Sequence, residues 1–226
     1  MKTIVIVGAG LGLGLSIAKK FGTNGFRVAL ISRNHEKLSK MMKELGALHI
    51  EAHAFVADVT DLAALRGAIQ AVKKEVGSID VLEFSPYGGW GTFTHVLETT
   101  PESVLEQMSS YLLPAVLSVN EVLPEMIQNG AGAILFTTGI SAMAPLPIVG
   151  NGGVMMSGIR NYATNLYNEL KAKGVFVGHL SIGTMIQAGT VGDPDVIASA
   201  WFNLFEKKDH FEEVFPEEFN PTKFAH

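Results

Sequence analysis

The chain has 226 residues, of which 47% are hydrophobic, and it carries a formal net charge of -5 at pH 7. Such a chain can bury a sizeable core without a disulfide or a metal, and we expect a single domain over residues 1–226. Nucleic acid and anionic membranes are poor partners for it, because binding to either usually requires a basic face. The absence of cysteine excludes disulfides, thiolate metal sites and cysteine nucleophiles. It also fits a cytoplasmic location. We therefore expect a small molecule, rather than a membrane or nucleic acid, as the partner.

Apolar runs of strand length alternate with amphipathic segments of helix length along the chain, a pattern typical of βαβ units. The predicted strands are residues 3–7, 27–31, 50–56, 79–84, 133–138, 175–181 and about 211–215. The predicted helices are residues 13–23, 35–45, 61–76, 101–128 and 153–173, and a short one that begins at Pro194. Together they predict an α/β fold with one Rossmann-type, doubly wound parallel sheet, strand order 3-2-1-4-5-6-7, and helices on both faces.

A glycine-rich loop joins the first strand to the first helix. Glycines at this place let the backbone turn tightly and approach a pyrophosphate, whose charge the free N–H groups of a helix N-terminus favour. Glycines also serve turns and close helix packing, but the position between strand and helix favours a dinucleotide site. The predicted phosphate-binding residues are Gly8, Gly10, Leu11, Gly12, Leu13 and Gly14.

The ends of the second and third strands carry the next candidate binding residues, Ser32, Arg33 and Asn34, then Asp58 and Val59. An NAD-specific protein usually has an acidic residue after the second strand, whereas Arg33 offers a cation for the 2′-phosphate of NADP(H). The alternatives are that Arg33 is a solvated surface residue and that Asp58 caps a turn. We expect NADP(H) as the cofactor.

These features resemble the short-chain dehydrogenase/reductase family, whose TGxxxGxG motif has Val7 here in place of its threonine. The resemblance extends to Leu123-Pro124-Glu125-Met126, which matches the family's LPxM segment, and to Ile182-Gly183, where the family usually has Pro-Gly. It implies that Ile182 and Gly183 lie near the nicotinamide. It also implies a homodimer or homotetramer formed through the helices around residues 104–126 and 154–170.

The family's Asn-Asn-Ala-Gly stretch after strand four is replaced here by Glu83-Phe84-Ser85-Pro86. Ser85 and Pro86 are the cofactor-binding residues that the resemblance implies there.

The resemblance also implies a catalytic tetrad of tyrosine, lysine, serine and asparagine, and this chain lacks all four. Counting from the family's other landmarks puts Gly152 at the tyrosine position, Met156 at the lysine, Gly139 at the serine and Tyr111 at the asparagine. A Tyr-x-x-x-Lys pair does occur at residues 167–171, but it lies roughly 22 Å too far along the helix. We expect that pair to be surface residues.

Five residues near the expected site could supply a proton instead: Tyr111, Thr138, Ser141, Tyr87 and His95. The alternative for the aromatic residues 87–95 is a lid or a packed loop. We expect no metal site, because His49 and His53 are too far apart to chelate and no acidic residue completes a cluster.

Three functions stay open on the sequence. The first is an oxidoreductase on a small carbonyl or alcohol with a non-standard proton donor. The second is a non-catalytic NADP(H)-binding sensor, and the third is an interaction protein that holds the cofactor as a structural ligand.

Overall fold

A seven-stranded, fully parallel sheet in the order β3-β2-β1-β4-β5-β6-β7 forms the centre of the molecule in this computed structural model, which describes residues 1–218. Its strands are β1 (Lys2–Val7), β2 (Phe26–Ser32), β3 (Ala52–Val56), β4 (Val81–Phe84), β5 (Gly132–Gly139), β6 (Val175–Ile182) and β7 (Glu212–Phe215). The predicted fold class and strand order are confirmed. Residues 219–226 of the predicted domain lie outside the described residues.

Seven α-helices cover the sheet in the described part of the chain: α1 (Leu13–Thr23), α2 (His35–Ala47), α3 (Leu62–Glu75), α4 (Pro101–Gln107), α5 (Leu113–Asn129), α6 (Gly150–Leu170) and α7 (Pro194–Lys207). The observed bounds differ from the predicted ones by a few residues, and one helix is longer than predicted. Helix α6 begins at Gly150 rather than at residue 153, and α7 is 14 residues long rather than short. In residues 1–218 we find no helix whose length and apolar character would let it cross a bilayer.

The predicted helical stretch 101–128 is interrupted between α4 and α5 by a π-helical segment, Met108–Leu112. The N–H of Leu113 bonds to the carbonyl oxygen of Met108, five residues earlier. Pro114 follows directly and has no N–H to continue the α-helical ladder, so the ladder shifts register here. Such bulges are frequent at functional sites, and this one contains Tyr111.

The core is split by the sheet into two layers, because alternate strand side chains point to opposite faces. Helices α1, α2 and α7 cover one face, where Phe21 and Trp201 are fully buried. Helices α3, α5 and α6 cover the other, where Phe136 is fully buried. Strand β1 lies between β2 and β4, so the chain order reverses beside it, and a crevice is expected at the carboxyl ends of these strands. Open α/β sheets bind ligands at such a crevice.

Candidate functional site

The glycine loop lies at the carboxyl end of β1 and makes close contacts with the rest of the protein at its two ends but not in its middle. Gly8 has a φ of +87°, and a Cβ atom there would lie 2.3 Å from Cα of Pro86. A Cβ at Gly14 would lie 3.1 Å from Cα of Ala9. At Gly10 and Gly12, by contrast, nothing lies within 4 Å of a Cβ. The loop is therefore packed against the protein at its ends and open towards the crevice in its middle.

Helix α1 begins at this loop without a side-chain cap. Gly12 is its N-cap residue and offers no side-chain acceptor. The first N–H groups of an α-helix have no partner inside the helix and carry a partial positive charge. In α1 the Leu15 N–H bonds to the Gly10 carbonyl oxygen at 2.8 Å, and the N–H groups before it, together with the open glycine backbone, fit a pyrophosphate.

The ends of β2 and β3 meet beside the loop. Nη1 of Arg33 lies 3.6 Å from Oδ2 of Asp58, and the Arg33 side chain is 67% exposed. The N–H of Thr60 lowers the pKa of Asp58, as do the Thr60 hydroxyl and Arg33, against a weaker opposing effect of burial. Asn34 caps α2 by accepting a bond from the Lys37 N–H at 2.9 Å. Arg33 is therefore held near the crevice with its guanidinium still reachable, while the Asn34 side chain has a structural role.

The remaining predicted cofactor residues lie along the same edge of the sheet. Ser32 ends β2, and Val59 follows Asp58 and packs against the core. Ser85 and Pro86 follow β4, where the Ser85 N–H donates to the Val7 carbonyl oxygen at 3.1 Å. Ile182 ends β6, and the Gly183 N–H donates to the Phe215 carbonyl oxygen at 2.7 Å. The fold thus brings together at one edge the residues that the sequence singled out for the cofactor.

The expected tyrosine and serine positions each face an apolar side chain. A Cβ at Gly152 would lie 2.7 Å from ring carbons of Phe93, so the phenylalanine ring fills the space where a side chain would begin. A Cβ at Gly139 would lie 3.3 Å from Sδ of Met156. Neither contact offers a proton or a charge, so the tetrad's acid–base chemistry is absent from these positions.

The loop that carries Phe93 is fastened to the start of α6 by Asn151, which is fully buried. Its side-chain oxygen accepts bonds from the N–H groups of Thr94 at 2.9 Å and Gly152 at 2.8 Å. Its side-chain nitrogen donates to the Thr92 carbonyl oxygen at 3.1 Å. We did not identify Asn151 from the sequence, because a polar residue among glycines gives no sign of its partners more than fifty positions away.

Comparison with known proteins identifies the family to which this fold and this glycine loop belong. A family model described as short chain dehydrogenase matches residues 2–190. The chain belongs to this family. It is 30% identical over 216 residues to "Oxidoreductase asL5" of Sarocladium schorii, covering 94% of this chain and 85% of that protein. It is 29% identical over 181 residues to human "Inactive hydroxysteroid dehydrogenase-like protein 1", covering 78% of this chain but only 53% of that protein. A metagenomic short-chain oxidoreductase solved in complex with NADP has a TM-score of 0.82 at 25% identity, over 94% of this chain and 96% of the other.

Four of the five candidate proton donors lie in the loop after β4 or contact that loop or the start of α6. The Tyr111 hydroxyl accepts a bond from the Gly88 N–H at 2.7 Å and is buried. Tyr87 is exposed, and burial of its hydroxyl and the neighbouring Tyr111 raise its pKa. His95 caps a 3-10 turn through its Nδ1. Ser141 is buried, and its Oγ would lie 2.8 Å from a Cβ on the next glycine of α6, Gly153.

The fifth candidate, Thr138, belongs to a buried chain of polar groups. Its Oγ1 lies 2.7 Å from Nε2 of His179, and Nδ1 of His179 lies 2.7 Å from Oε1 of Glu212. Arg160 donates to both carboxylate oxygens of Glu212, at 2.6 and 2.8 Å. Burial alone would raise the pKa of Glu212, but the bonds from His179 and Arg160 outweigh it and lower the pKa to about 2.

The ionised carboxylate of Glu212 determines the direction of its hydrogen bond with His179. A carboxylate only accepts hydrogen bonds, so Nδ1 of His179 donates to Glu212 and Nε2 shares the other hydrogen bond with the Thr138 hydroxyl. The Thr138 hydroxyl is thus already bonded, and the network ties the edge strand β7 to β6 and α6. We did not identify His179, Glu212 or Arg160 as site residues from the sequence. The available signal was a histidine inside an otherwise apolar buried strand.

A second buried polar group, Glu83 in β4, was also missed as a site residue. It is fully buried, its Oε2 lies 2.8 Å from Oγ of Ser85, and its Oε1 lies 2.9 Å from Oγ1 of Thr137. Nε1 of Trp201 donates to the Thr137 hydroxyl at 2.8 Å. Burial, which outweighs these two hydrogen bonds, raises the pKa of Glu83 to about 8. An acidic residue within a predicted buried strand was the signal for it.

The Tyr167–Lys171 pair lies at the far end of α6, away from the crevice. The expectation that both are surface residues was wrong for Tyr167, which is half-buried with its ring 5.3 Å from that of Phe211. Lys171 lies over the Tyr167 ring, with Nζ 5.9 Å from its centroid. Within residues 1–218 no three histidine, aspartate or glutamate side chains come together in a way that could hold a metal ion.

Proposed function

We propose that this protein is an NADP(H)-dependent oxidoreductase that acts on a small carbonyl or alcohol substrate with a proton donor other than the family's tyrosine. The observation that carries the proposal is the open glycine backbone at Gly10 and Gly12 in front of the uncapped start of α1. Family membership and the name of the 30%-identical oxidoreductase support the hydride chemistry. Residues 8–14 would hold the pyrophosphate, and the bound cofactor would supply the hydride.

NADP(H) is proposed over NAD(H) because Arg33 is the reachable cation at the expected ribose position. A charge-assisted bond from a guanidinium to a phosphate is among the stronger polar contacts. NADPH is therefore expected to raise the melting temperature more than NADH does. Arg33→Asp should narrow or reverse that preference, whereas Lys40→Asp, the same charge change at an exposed site on α2, should leave it unchanged. Equal melting shifts with both cofactors in the wild type would contradict this proposal.

The oxidoreductase activity is tested by following NADPH oxidation with a panel of small ketones, aldehydes and quinones. Loss of a general acid typically costs about 10²- to 10⁴-fold in rate. We expect measurable turnover well below the typical enzyme value of about 10 per second. A rate near that value would show a proton donor as effective as the missing tyrosine. No hydride transfer to any acceptor would refute the proposal.

A second candidate function is a non-catalytic NADP(H)-binding sensor. Phe93 against Gly152 and Met156 against Gly139 favour it, because both fill the family's acid–base positions with apolar groups. Cofactor-dependent binding of a partner protein, without NADPH oxidation by any carbonyl, would favour this function over the first.

We also propose that the protein forms a homodimer or homotetramer through α5 and α6. Leu113 and Val154 on these helices are large apolar side chains exposed in the single chain. Covering exposed apolar surface with a symmetric copy is the common arrangement of soluble oligomers.

A further inference from the structure

Glu83 is a fully buried acidic residue in the middle of the sheet. It belongs to β4 at the topological switch point, paired in register with Ile6 of β1. Its pKa is affected by burial and by the hydroxyls of Ser85 and Thr137, and no charged group on β1, β5, α1 or α7 contributes. Burying a carboxyl group without a cation is costly, and it takes the neutral form instead. A strongly perturbed acid at a ligand crevice is a candidate functional group.

The hydrogen-bond partners determine which oxygen of Glu83 holds the proton. Trp201 can only donate, and it donates to the Thr137 hydroxyl. The proton of Thr137 is then directed at Oε1 of Glu83. In the neutral acid the remaining oxygen, Oε2, carries the proton and donates it to Oγ of Ser85, 2.8 Å away, whereas in the carboxylate Ser85 is the donor. The Ser85 hydroxyl proton is thereby left free for a group outside the network.

Ser85 connects the buried acid with the crevice. It is the first residue after β4, it is only partly buried, and its N–H bonds to Val7 just before the glycine loop. The next residue, Pro86, packs directly against Gly8 of that loop. The accessible end of the network therefore lies at the proposed cofactor site, and its other end lies inside the core at Trp201.

We propose that Glu83 is held as a neutral carboxylic acid and that its proton passes through the Ser85 hydroxyl to the substrate oxygen, a role that rests on the oxidoreductase function proposed above. The bound cofactor would supply a hydride to the carbonyl carbon. The Ser85 hydroxyl would give its proton to the carbonyl oxygen, which becomes the hydroxyl of an alcohol, and the Ser85 oxygen would take the proton of Glu83 in turn. Glu83 would be left as a carboxylate and would regain its proton from water. Ser85 is the catalytic residue of this step, and Glu83 acts through it.

The first experiment needs no turnover. Infrared difference spectroscopy of the cofactor-free protein should show the C=O stretching band of a protonated carboxylic acid at neutral pH, and the band should disappear as the pH rises past about 8. Glu83→Gln should remove the band. Glu75→Gln, which changes an exposed glutamate on α3, should keep it. Absence of the band in the wild type, or its persistence in Glu83→Gln, would overturn the proposal.

The second experiment measures single-turnover hydride transfer at saturating NADPH. Glu83→Gln and Ser85→Ala should each lower the rate constant by about 10²- to 10⁴-fold, with little change in the substrate concentration that gives half of the maximal rate constant. Ser85→Thr, which keeps the hydroxyl, should restore most of the rate. The wild-type rate should fall as Glu83 ionises at alkaline pH, and this fall should be absent from the residual rate of Glu83→Gln. NADPH-induced stabilisation of Glu83→Gln should match that of the wild type, which separates a lost proton from a lost cofactor site.

The outcomes separate the two proposals. Equal rates and equal pH profiles in the wild type and Glu83→Gln would overturn the relay and leave the oxidoreductase function standing. Equal rates in Ser85→Ala and Ser85→Thr would do the same. A wild type that binds NADPH but transfers hydride to no carbonyl would overturn both, while the infrared band would still assign Glu83 as a carboxylic acid.

Discussion

Glu83→Gln is expected to change how the stability of the protein depends on pH, whatever the protein catalyses. The pKa of Glu83 is about 8 in the folded protein and 4.5 in its ordinary state. Between these values the folded state binds more protons at this site than the unfolded state, so wild-type stability falls as the pH rises. At about 1.4 kcal/mol for each pKa unit, the whole loss is about 5 kcal/mol. This is a large share of the roughly 5–15 kcal/mol that stabilises a typical domain.

The glutamine amide of this variant cannot ionise, so this source of pH dependence disappears. The variant should therefore gain stability relative to the wild type by up to about 1.4 kcal/mol per pH unit between about pH 5 and pH 8. Urea unfolding of the cofactor-free protein at a series of pH values measures the difference from the midpoints. Glu75→Gln serves as the control and should follow the wild type. A stability difference between Glu83→Gln and the wild type that stays constant over this range would refute the reasoning.

Three further changes test other parts of the structure. Glu212→Gln should cost about 1–3 kcal/mol at neutral pH, because a buried imidazole loses its charged acceptor. The pKa of Glu212 is lowered to about 2, so its ionised form stabilises the wild type above about pH 4.5, and this stabilisation is lost as the pH falls towards 2. The variant should lack this pH-dependent stabilisation. Urea unfolding that shows the same acid sensitivity in the variant and the wild type would contradict the prediction. The double variant Gly152→Tyr with Met156→Lys should raise the rate of ketone reduction only when Phe93→Ala is added, because the Phe93 ring lies 2.7 Å from a Cβ at Gly152. Increased activity in the double variant alone would show that the Phe93 ring does not block the tyrosine position. Val154→Asp should convert the proposed oligomer to monomers, which light scattering detects as a lower molar mass. A monomeric wild type would contradict the proposed interface.

The signals that predict a cofactor site at this edge of the sheet are local in the sequence. Residues 8–14 follow directly on a strand and open a helix, and Arg33 follows the next strand. In a parallel sheet the carboxyl ends of the strands meet at one edge, so residues that follow the strands must gather there. The absence of the tetrad could likewise be read by counting along one helix to Gly152 and Met156. These inferences needed only strand order and helical spacing.

The groups that replace the missing chemistry could not be predicted in this way. Phe93 reaches Gly152 from a loop about sixty positions earlier, and Glu212 reaches His179 from the edge strand. In the sequence, Glu83 is one acidic residue within an apolar run. Its meaning depends on Thr137 and Trp201, which come from another strand and a distant helix.

The sequence by itself thus determined the sheet order, because strand and helix periodicity and the rules for parallel connections fix it. It also predicted the cofactor edge and the substituted tetrad positions, because each prediction depends on spacing along one segment. Tertiary structure alone decided which polar groups are buried, what they bond to and which proton each one holds. A side chain's pKa and its access to a ligand depend on dehydration and on neighbours brought in from remote parts of the chain. The burial of Glu83 and its bond to Ser85 are therefore properties of the packed fold, and no local pattern encodes them.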